Sequence, residues 1–269
     1  MKQYIPLVFL IYLFSCNLDT NKDLQIDQSF EGEEAYWVSK TLDEHHHLAF
    51  YNVFTFSNTL FTDSLPGCPT VTIAEDMLTV TLDYDNPICE EASGDHKGKL
   101  ILKYSSRFSN TNDSIKIIYD GYQYDKSKLE GYRLFKVLQK QNTKVMLAET
   151  SDTLLLKDEH ESSTRLMLDL EHEAKFQSQK IIEIKSNGTM TGRNWGGNQL
   201  EAVISAPKII STSCLSSLKF RPVSGEENWT IQRSGESAVT HKLTYSTTEG
   251  CDTKTTIKLA EGVIMIKQP

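Results

Sequence analysis

Leu78-Thr79-Val80-Thr81-Leu82-Asp83-Tyr84, residues 78–84, alternates apolar and polar side chains at every step. That period of two is what a strand shows when one face is buried and the other is wet. The same beat returns at Leu100, Leu102 and Tyr104, then at Ile115, Ile117 and Tyr119. Further runs are Leu166 to Leu170, Ile182 to Ile184, Leu243 to Tyr245, Ile257 to Leu259 and Val263 to Ile266. About a dozen short strands predict a mainly β fold, an antiparallel β-sandwich or barrel-like sheets. Asn187-Gly188 and Gly196-Gly197-Asn198 read as hairpin turns. Residues 79–104 echo 241–259, and 114–135 echo 180–203. The echoes suggest two related β halves, 68–148 and 149–269, joined through residues 149–164.

One amphipathic helix precedes the strands. In residues 35–61, Leu42, His46, Ala49, Val53, Phe56 and Leu60 recur at steps of three and four, which places them on one helical face. Pro66-Gly67 closes this lead-in, residues 35–67. Upstream, residues 16–34 are polar and acidic and read as a flexible tether.

The first sixteen residues, MKQYIPLVFLIYLFSC, carry a basic residue, an apolar run and then Ser15-Cys16. The run is too short for a permanent membrane helix, which takes roughly 20 apolar residues. It reads as a signal peptide, residues 1–15, and the cysteine at its end resembles a bacterial lipobox. That resemblance implies a lipoprotein with lipid (palmitate among its acyl chains) on Cys16, an anchor in the cell outer membrane, and a domain on either its periplasmic or its surface side. The formal net charge of −8 argues against nucleic acid as a partner. Besides Cys16 there are Cys68, Cys89, Cys214 and Cys251, an even number for an oxidising compartment. Three disulfide connectivities are open; proximity within hairpin runs favours Cys68–Cys89 and Cys214–Cys251.

The chain resembles a group of uncharacterised Bacteroidota lipoproteins of flavobacterial type. The resemblance is carried by the lipobox, Cys68-Pro69-Thr70-Val71-Thr72-Ile73, Thr79 to Tyr84, Lys97 to Ile101, Leu129-Glu130-Gly131, Gly250-Cys251-Asp252 and Gly262 to Ile266. It implies a Cys-containing β region behind a lipid anchor and no assigned activity. The acidic turn Glu90 to His96 departs from the basic, glycine-rich turn usual there.

Several constellations bear on chemistry. Glu44-His45-His46-His47 lacks the i, i+4 histidine spacing of a zinc helix and reads as a solvated face with one half-buried imidazole. Asp83, Asp85 and Glu90 offer oxygen ligands of the kind calcium takes, without EF-hand spacing; no other cofactor is expected. Arg193, Asn194 and Trp195 form a polar, glycine-rich turn of the kind that stacks on a sugar. Trp229 beside Ile231 reads as core, and Tyr119, Tyr122, Tyr124 and Tyr132 as cross-strand aromatic packing. No Gly-x-Ser-x-Gly elbow or phosphate-cradling loop occurs. The expectation is a non-catalytic, membrane-tethered binding module for a glycan, peptide or partner protein. Its rivals are a carrier holding an apolar ligand in a half-barrel cavity and a hydrolase.

Overall fold

A computed structural model describes residues 28–88, 96–108, 110–178, 180–211, 221–233, 237–248 and 252–268. Helix α1 (Gln28–His45) comes first, then 3-10 turns at His46–Phe50 and Val53–Ser57 and the short α2 (Thr59–Thr62). Thirteen strands follow: β1 (Thr70–Ile73), β2 (Thr79–Asp83), β3 (His96–Tyr104), β4 (Ser114–Tyr124), β5 (Ser127–Gln141), β6 (Lys144–Lys157) and β7 (Ser163–Gln177). After these come β8 (Lys180–Arg193), β9 (Gln199–Ser211), β10 (Ser224–Gln232), β11 (Ala238–Thr247), β12 (Thr253–Lys258) and β13 (Ile264–Lys267). Every pairing is antiparallel and every strand lies beside its neighbours in sequence, so the chain forms one open meander from β1 to β13. The mainly antiparallel β expectation with one leading helix therefore holds, as a single sheet. The stretch 149–164, read as a joint, is the second part of β6 and the turn into β7, and the sheet runs through it unbroken.

The sheet wraps the helix. Side chains and backbone of α1 meet partners on strands from β3 (His96) to β12 (Ile257). Laid flat, those strands would span about 43 Å, at about 4.8 Å per step. An 18-residue helix is only about 27 Å long. The sheet must therefore curl, and α1 lies in its concavity. Glycines and bulges help it bend. The β3–β4 register slips beside Gly98 and Gly121, both at positive φ, and a Cβ on Gly98 would sit 2.3 Å from the Gly121 carbonyl. The slip reverses the inward parity of β4, so that Tyr119, Tyr122 and Tyr124 are all buried, with ring contacts between Tyr119 and Tyr122. Tyr132 lies apart from them, under the Lys116 ammonium. Trp229 is core, as its strand pattern predicts.

Three readings are corrected. The helix begins at Gln28, inside the stretch read as tether, and its α-helical part stops at His45 instead of running to 61. Asn52 and Asn58 accept from the backbone N–H groups of Thr55 and Leu60, and such local bonds compete with continued helix. Leu60, placed by periodicity on the buried face, is 81% exposed. The histidine triplet is no solvated face: His45 at the end of α1 and His46 and His47 at the start of the 3-10 turn are all buried. Lastly, Asn187-Gly188 does not turn a hairpin. It lies inside β8 at a bulge against β9, where a Cβ on Gly188 would press 2.3 Å from the Asp169 carbonyl.

Candidate functional site

The inward rows of the strands are apolar except for single polar positions, and these line up along the helix. In β7 the row runs Thr164, Leu166, Leu168, Leu170, His172, Ala174; in β10 it runs Glu227, Trp229, Ile231. Helix α1 answers with its own carboxylates. At its start, Glu31 takes both terminal nitrogens of Arg233 at 2.6 Å and lies 3.0 Å from His241 Nε2. One turn on, Glu34 Oε1 accepts from Thr164 Oγ1 (2.5 Å) and from the Trp195 backbone N–H (2.8 Å). Among the described residues no cation pairs with it, and burial pushes its carboxyl up to about 7 against those two hydrogen bonds.

The middle of the seam is the most densely charged part. Lys208 Nζ donates to Ser39 Oγ (2.8 Å) and Asp43 Oδ1 (2.7 Å) and pairs with Glu227 Oε1 (2.8 Å). Glu227 also accepts from Ser39 Oγ and Trp229 Nε1, both at 2.9 Å. One ammonium thus serves two buried carboxylates. Burial raises the Asp43 carboxyl above its ordinary value despite Lys208. Burial alone would lower Lys208, but Asp43 and Glu227 hold it above the usual lysine range. Beside this cluster, Arg133 grips Glu149 through Nε (2.5 Å) and a terminal nitrogen (2.8 Å), and donates to the Leu42 carbonyl of the helix at 2.8 Å. Burial opposes ionisation of Glu149, yet Arg133 and the His172 hydrogen bond bring its carboxyl down to about 2.

At the C-terminal end of α1, Glu44 faces His96 Nε2 (3.7 Å) and Arg221 (3.8 Å), and Arg221 donates to the Tyr124 hydroxyl at 2.7 Å. Against burial, the nearby His96 and Arg221 keep Glu44 below the usual carboxylate range. His45 Nε2 hydrogen-bonds the Tyr122 hydroxyl at 2.6 Å, and His46 stacks on His172 with centroids 5.0 Å apart. Burial, with neighbouring positive charge, depresses His45 and His46 well below the ordinary histidine value. Burial takes His47 down to about 4, Glu44 opposing.

Ser186, His172 and Glu149 form a hydrogen-bonded chain, Oγ to Nδ1 at 2.7 Å and Nε2 to Oε2 at 2.7 Å. Hydrolases use these residue types in such an order. Here all three are buried and α1 covers them. The adjoining space, lined also by Asp43, His46 and Lys208, has a volume of about 20 Å³. That is room for about one water, with no place for an acyl group. It is small and bordered by Asp43, Lys208 and Glu227, whereas a carrier of an apolar ligand needs a large apolar cavity there.

An open groove lies elsewhere, between the lead-in and the first strand. It has a volume of about 450 Å³ and is lined by Phe56, Ser57, Thr59, Thr62, Pro69, Thr70, Val71, Ile73 and Ile88. Among the described residues no strand pairs with β1 on the side away from β2. The Ala74 N–H bonds the Thr79 carbonyl, and the register alternates from there, so the backbone groups of Val71 and Ile73 point away from β2.

The residues singled out in the sequence fall as follows. Arg193, Asn194 and Trp195 do form the β8–β9 turn, and their polar groups hold it. Asn194 Oδ1 accepts from the Asn198 N–H, Arg193 donates to the Gly197 carbonyl, and Trp195 is tied to Glu34 through its backbone. Asp83 accepts from the Asp85 N–H and faces Lys99 at 3.2 Å, while Asp85 accepts from the Gly98 N–H. Glu90, Cys16, Cys89, Cys214 and Cys251 lie outside the described residues. Among those described, no three His, Cys, Asp or Glu side chains are placed to hold a metal ion. The Ile88 N–H bonds the Cys68 carbonyl at 2.9 Å, so Cys89 directly follows a residue held against Cys68. The polar seam itself was missed, though its signal exists: an ionisable residue at the apolar parity of a strand, as with Arg133, Glu149, Lys208 and Glu227.

No protein family, curated protein or solved structure matches this chain.

Proposed function

We propose that the chain is a lipid-anchored protein of the cell envelope that works by binding, taking an extended segment of a partner protein along β1. The observation that carries this reading is the open groove of about 450 Å³, its wall mixing Phe56, Val71, Ile73 and Ile88 with serine and threonine hydroxyls, beside the outward backbone groups of Val71 and Ile73. A peptide strand added to a free sheet edge gains main-chain hydrogen bonds and sends alternate side chains into adjoining pockets. The interior supports the same reading from the other side: Glu31, Asp43, Glu149 and Glu227 around α1 are paired with Arg233, Lys208 and Arg133. The anchor is the lipid on Cys16, resting on the lipobox and on the resemblance to Bacteroidota lipoproteins; a Cys68–Cys89 disulfide would brace the turn beside the groove.

Selection of a random-peptide phage library against the protein tests this. Peptides with alternating apolar residues are expected to enrich, and to lose binding to Val71→Pro, which deletes an outward N–H without touching the β1–β2 ladder. Equal enrichment on both proteins, or none on either, refutes strand addition at β1.

A further inference from the structure

The groove beside β1 is rimmed by charge of one sign. No lysine or arginine occurs between Lys40 and Lys97, and every residue lining the groove comes from that stretch. Around it Asp63, Glu75, Asp76 and Asp85 are exposed. Asp63 directly follows Thr62 of the groove wall, and Glu75 and Asp76 turn the chain just beyond Ile73. At the other end of β1, Thr70 stands opposite Asp83 and donates to the Asn86 carbonyl, next in sequence to Asp85. Among the described residues this rim holds a single cation, Lys99, 3.2 Å from Asp83. Arg107 reaches the lead-in at Phe54, which does not line the groove. Carboxylates beside a low-dielectric groove attract the opposite charge and repel their own. Resting on the strand-addition reading above, we infer that the segment taken by β1 is cationic, with apolar side chains alternating along it and lysine or arginine flanking them at both ends.

The geometry places those flanks. Val71 and Ile73 stand opposite Leu82 and Val80, which are buried, so their side chains share the inward face with the groove. A strand laid against them presents every second side chain to that face. Four residues make a short edge, and the added strand runs out past both ends of it at about 3.4 Å per residue. One flank then comes to Glu75 and Asp76, and the other to Asp85. A second copy of this chain suits the edge less well, because β1 laid on β1 brings the same carboxylates together, and charge on an edge is how sheets avoid such pairing. An acidic partner segment is repelled for the same reason.

Fluorescence anisotropy of labelled synthetic peptides, titrated with the full chain in mild detergent, tests this. The probes share a core of alternating valine and threonine and carry lysine, glutamine or glutamate pairs at both ends. The lysine-flanked peptide is expected to bind on the order of tenfold tighter than the glutamate-flanked one at low salt, with the gap closing as salt is added. Combining Asp63→Asn, Glu75→Gln and Asp76→Asn should narrow that gap and leave the glutamine-flanked peptide unaffected; the change at 76 keeps an acceptor for the Leu78 N–H, which Asp76 now takes at 2.8 Å. Equal binding of lysine and glutamate flanks overturns the inference, and strand addition still stands if the glutamine-flanked peptide binds and is lost with Val71→Pro. Binding of no peptide, whatever its flanks, overturns both. Lysine-flanked binding that persists at full strength in Val71→Pro places the attraction elsewhere and overturns the inference. The comparison of flanks is read on the wild type, so it decides even if a variant fails to fold.

Discussion

Acidification is expected to loosen this protein well above the usual carboxylate range, and the histidine triplet is the reason. His47 has an ordinary value of 6.5 and is held at about 4 when folded. Between those values the unfolded chain binds a proton that the folded chain refuses, so stability is full above pH 6.5 and falls as pH drops through the window. At 1.36 kcal/mol per unit, lowering the pH from 6.5 to 5 removes about 2 kcal/mol through His47. His45 and His46 are held well below 6.5 as well, by burial and neighbouring positive charge, so they act in the same direction. Glu34 acts in the opposite sense. Its folded value of about 7 lies above the ordinary 4.5, so its contribution is complete below 4.5 and is lost as pH rises through 7. Going from pH 7 to 5 it returns about 3 kcal/mol. Three histidines that refuse protons outweigh one carboxyl that keeps its own, so the net on acidification is a loss, measured against the roughly 5–15 kcal/mol typical of a folded domain. Urea titrations followed by tryptophan fluorescence at steps from pH 7.5 to 5 measure it. Glu34→Gln keeps an acceptor for the Trp195 and Thr164 donors while removing the opposing proton, so its loss on acidification should be steeper. Stability that is flat or rising toward pH 5 in the wild type would refute the burial of neutral histidines argued above.

Lys208→Met leaves Asp43 and Glu227 buried without their shared ammonium, and urea denaturation should show a loss of about 3–5 kcal/mol. Adding Asp43→Asn to that variant should recover part of it. Gly192→Ala sets a Cβ 1.8 Å from the Arg165 carbonyl across the β7–β8 ladder, so its melting temperature should fall further than that of Gly197→Ala. The latter has open space around its Cβ and suffers only from φ +77, a penalty of roughly 1–2 kcal/mol. Ser186, sealed behind α1, should stay unlabelled by a fluorophosphonate probe; labelling of the folded protein that disappears in Ser186→Ala would restore the hydrolase.

What the sequence made legible was the alternation. Strands such as Thr79–Asp83 and Ser163–Gln177 announce themselves because one face is apolar and the other wet, a contrast that survives without knowing the partner strand. The helix was legible as an element, but its start and its buried polar side chains were not, and the reason is physical. Amphipathicity is the mark of a helix lying on a surface, and α1 lies in a concavity where Glu31, Glu34, Asp43 and Glu44 are as buried as Val38 and Leu42. Seven residues from Gln28 to Glu34 therefore read as tether, and three adjacent histidines read as solvent-facing. Glycine misled in a similar way: Gly188 is needed for close approach within β8 and not for a turn.

The seam was hidden because each of its members is an exception on its own strand, and only the fold brings the exceptions into one line. Their arrangement explains what they accomplish. An apolar helix in an apolar trough could slide or rotate with little penalty, since hydrophobic burial is non-directional. Here Glu31 meets Arg233, Asp43 meets Lys208 and the Leu42 carbonyl meets Arg133, so a shift of one residue would strand several buried charges at once. The polar pairs thus set the register of α1 in its cradle more than they add stability. That in turn positions Phe56 and Thr62, which follow α1 in the chain, as one wall of the groove against β1. A binding edge with a preformed wall loses less freedom on taking its ligand than one assembled around it.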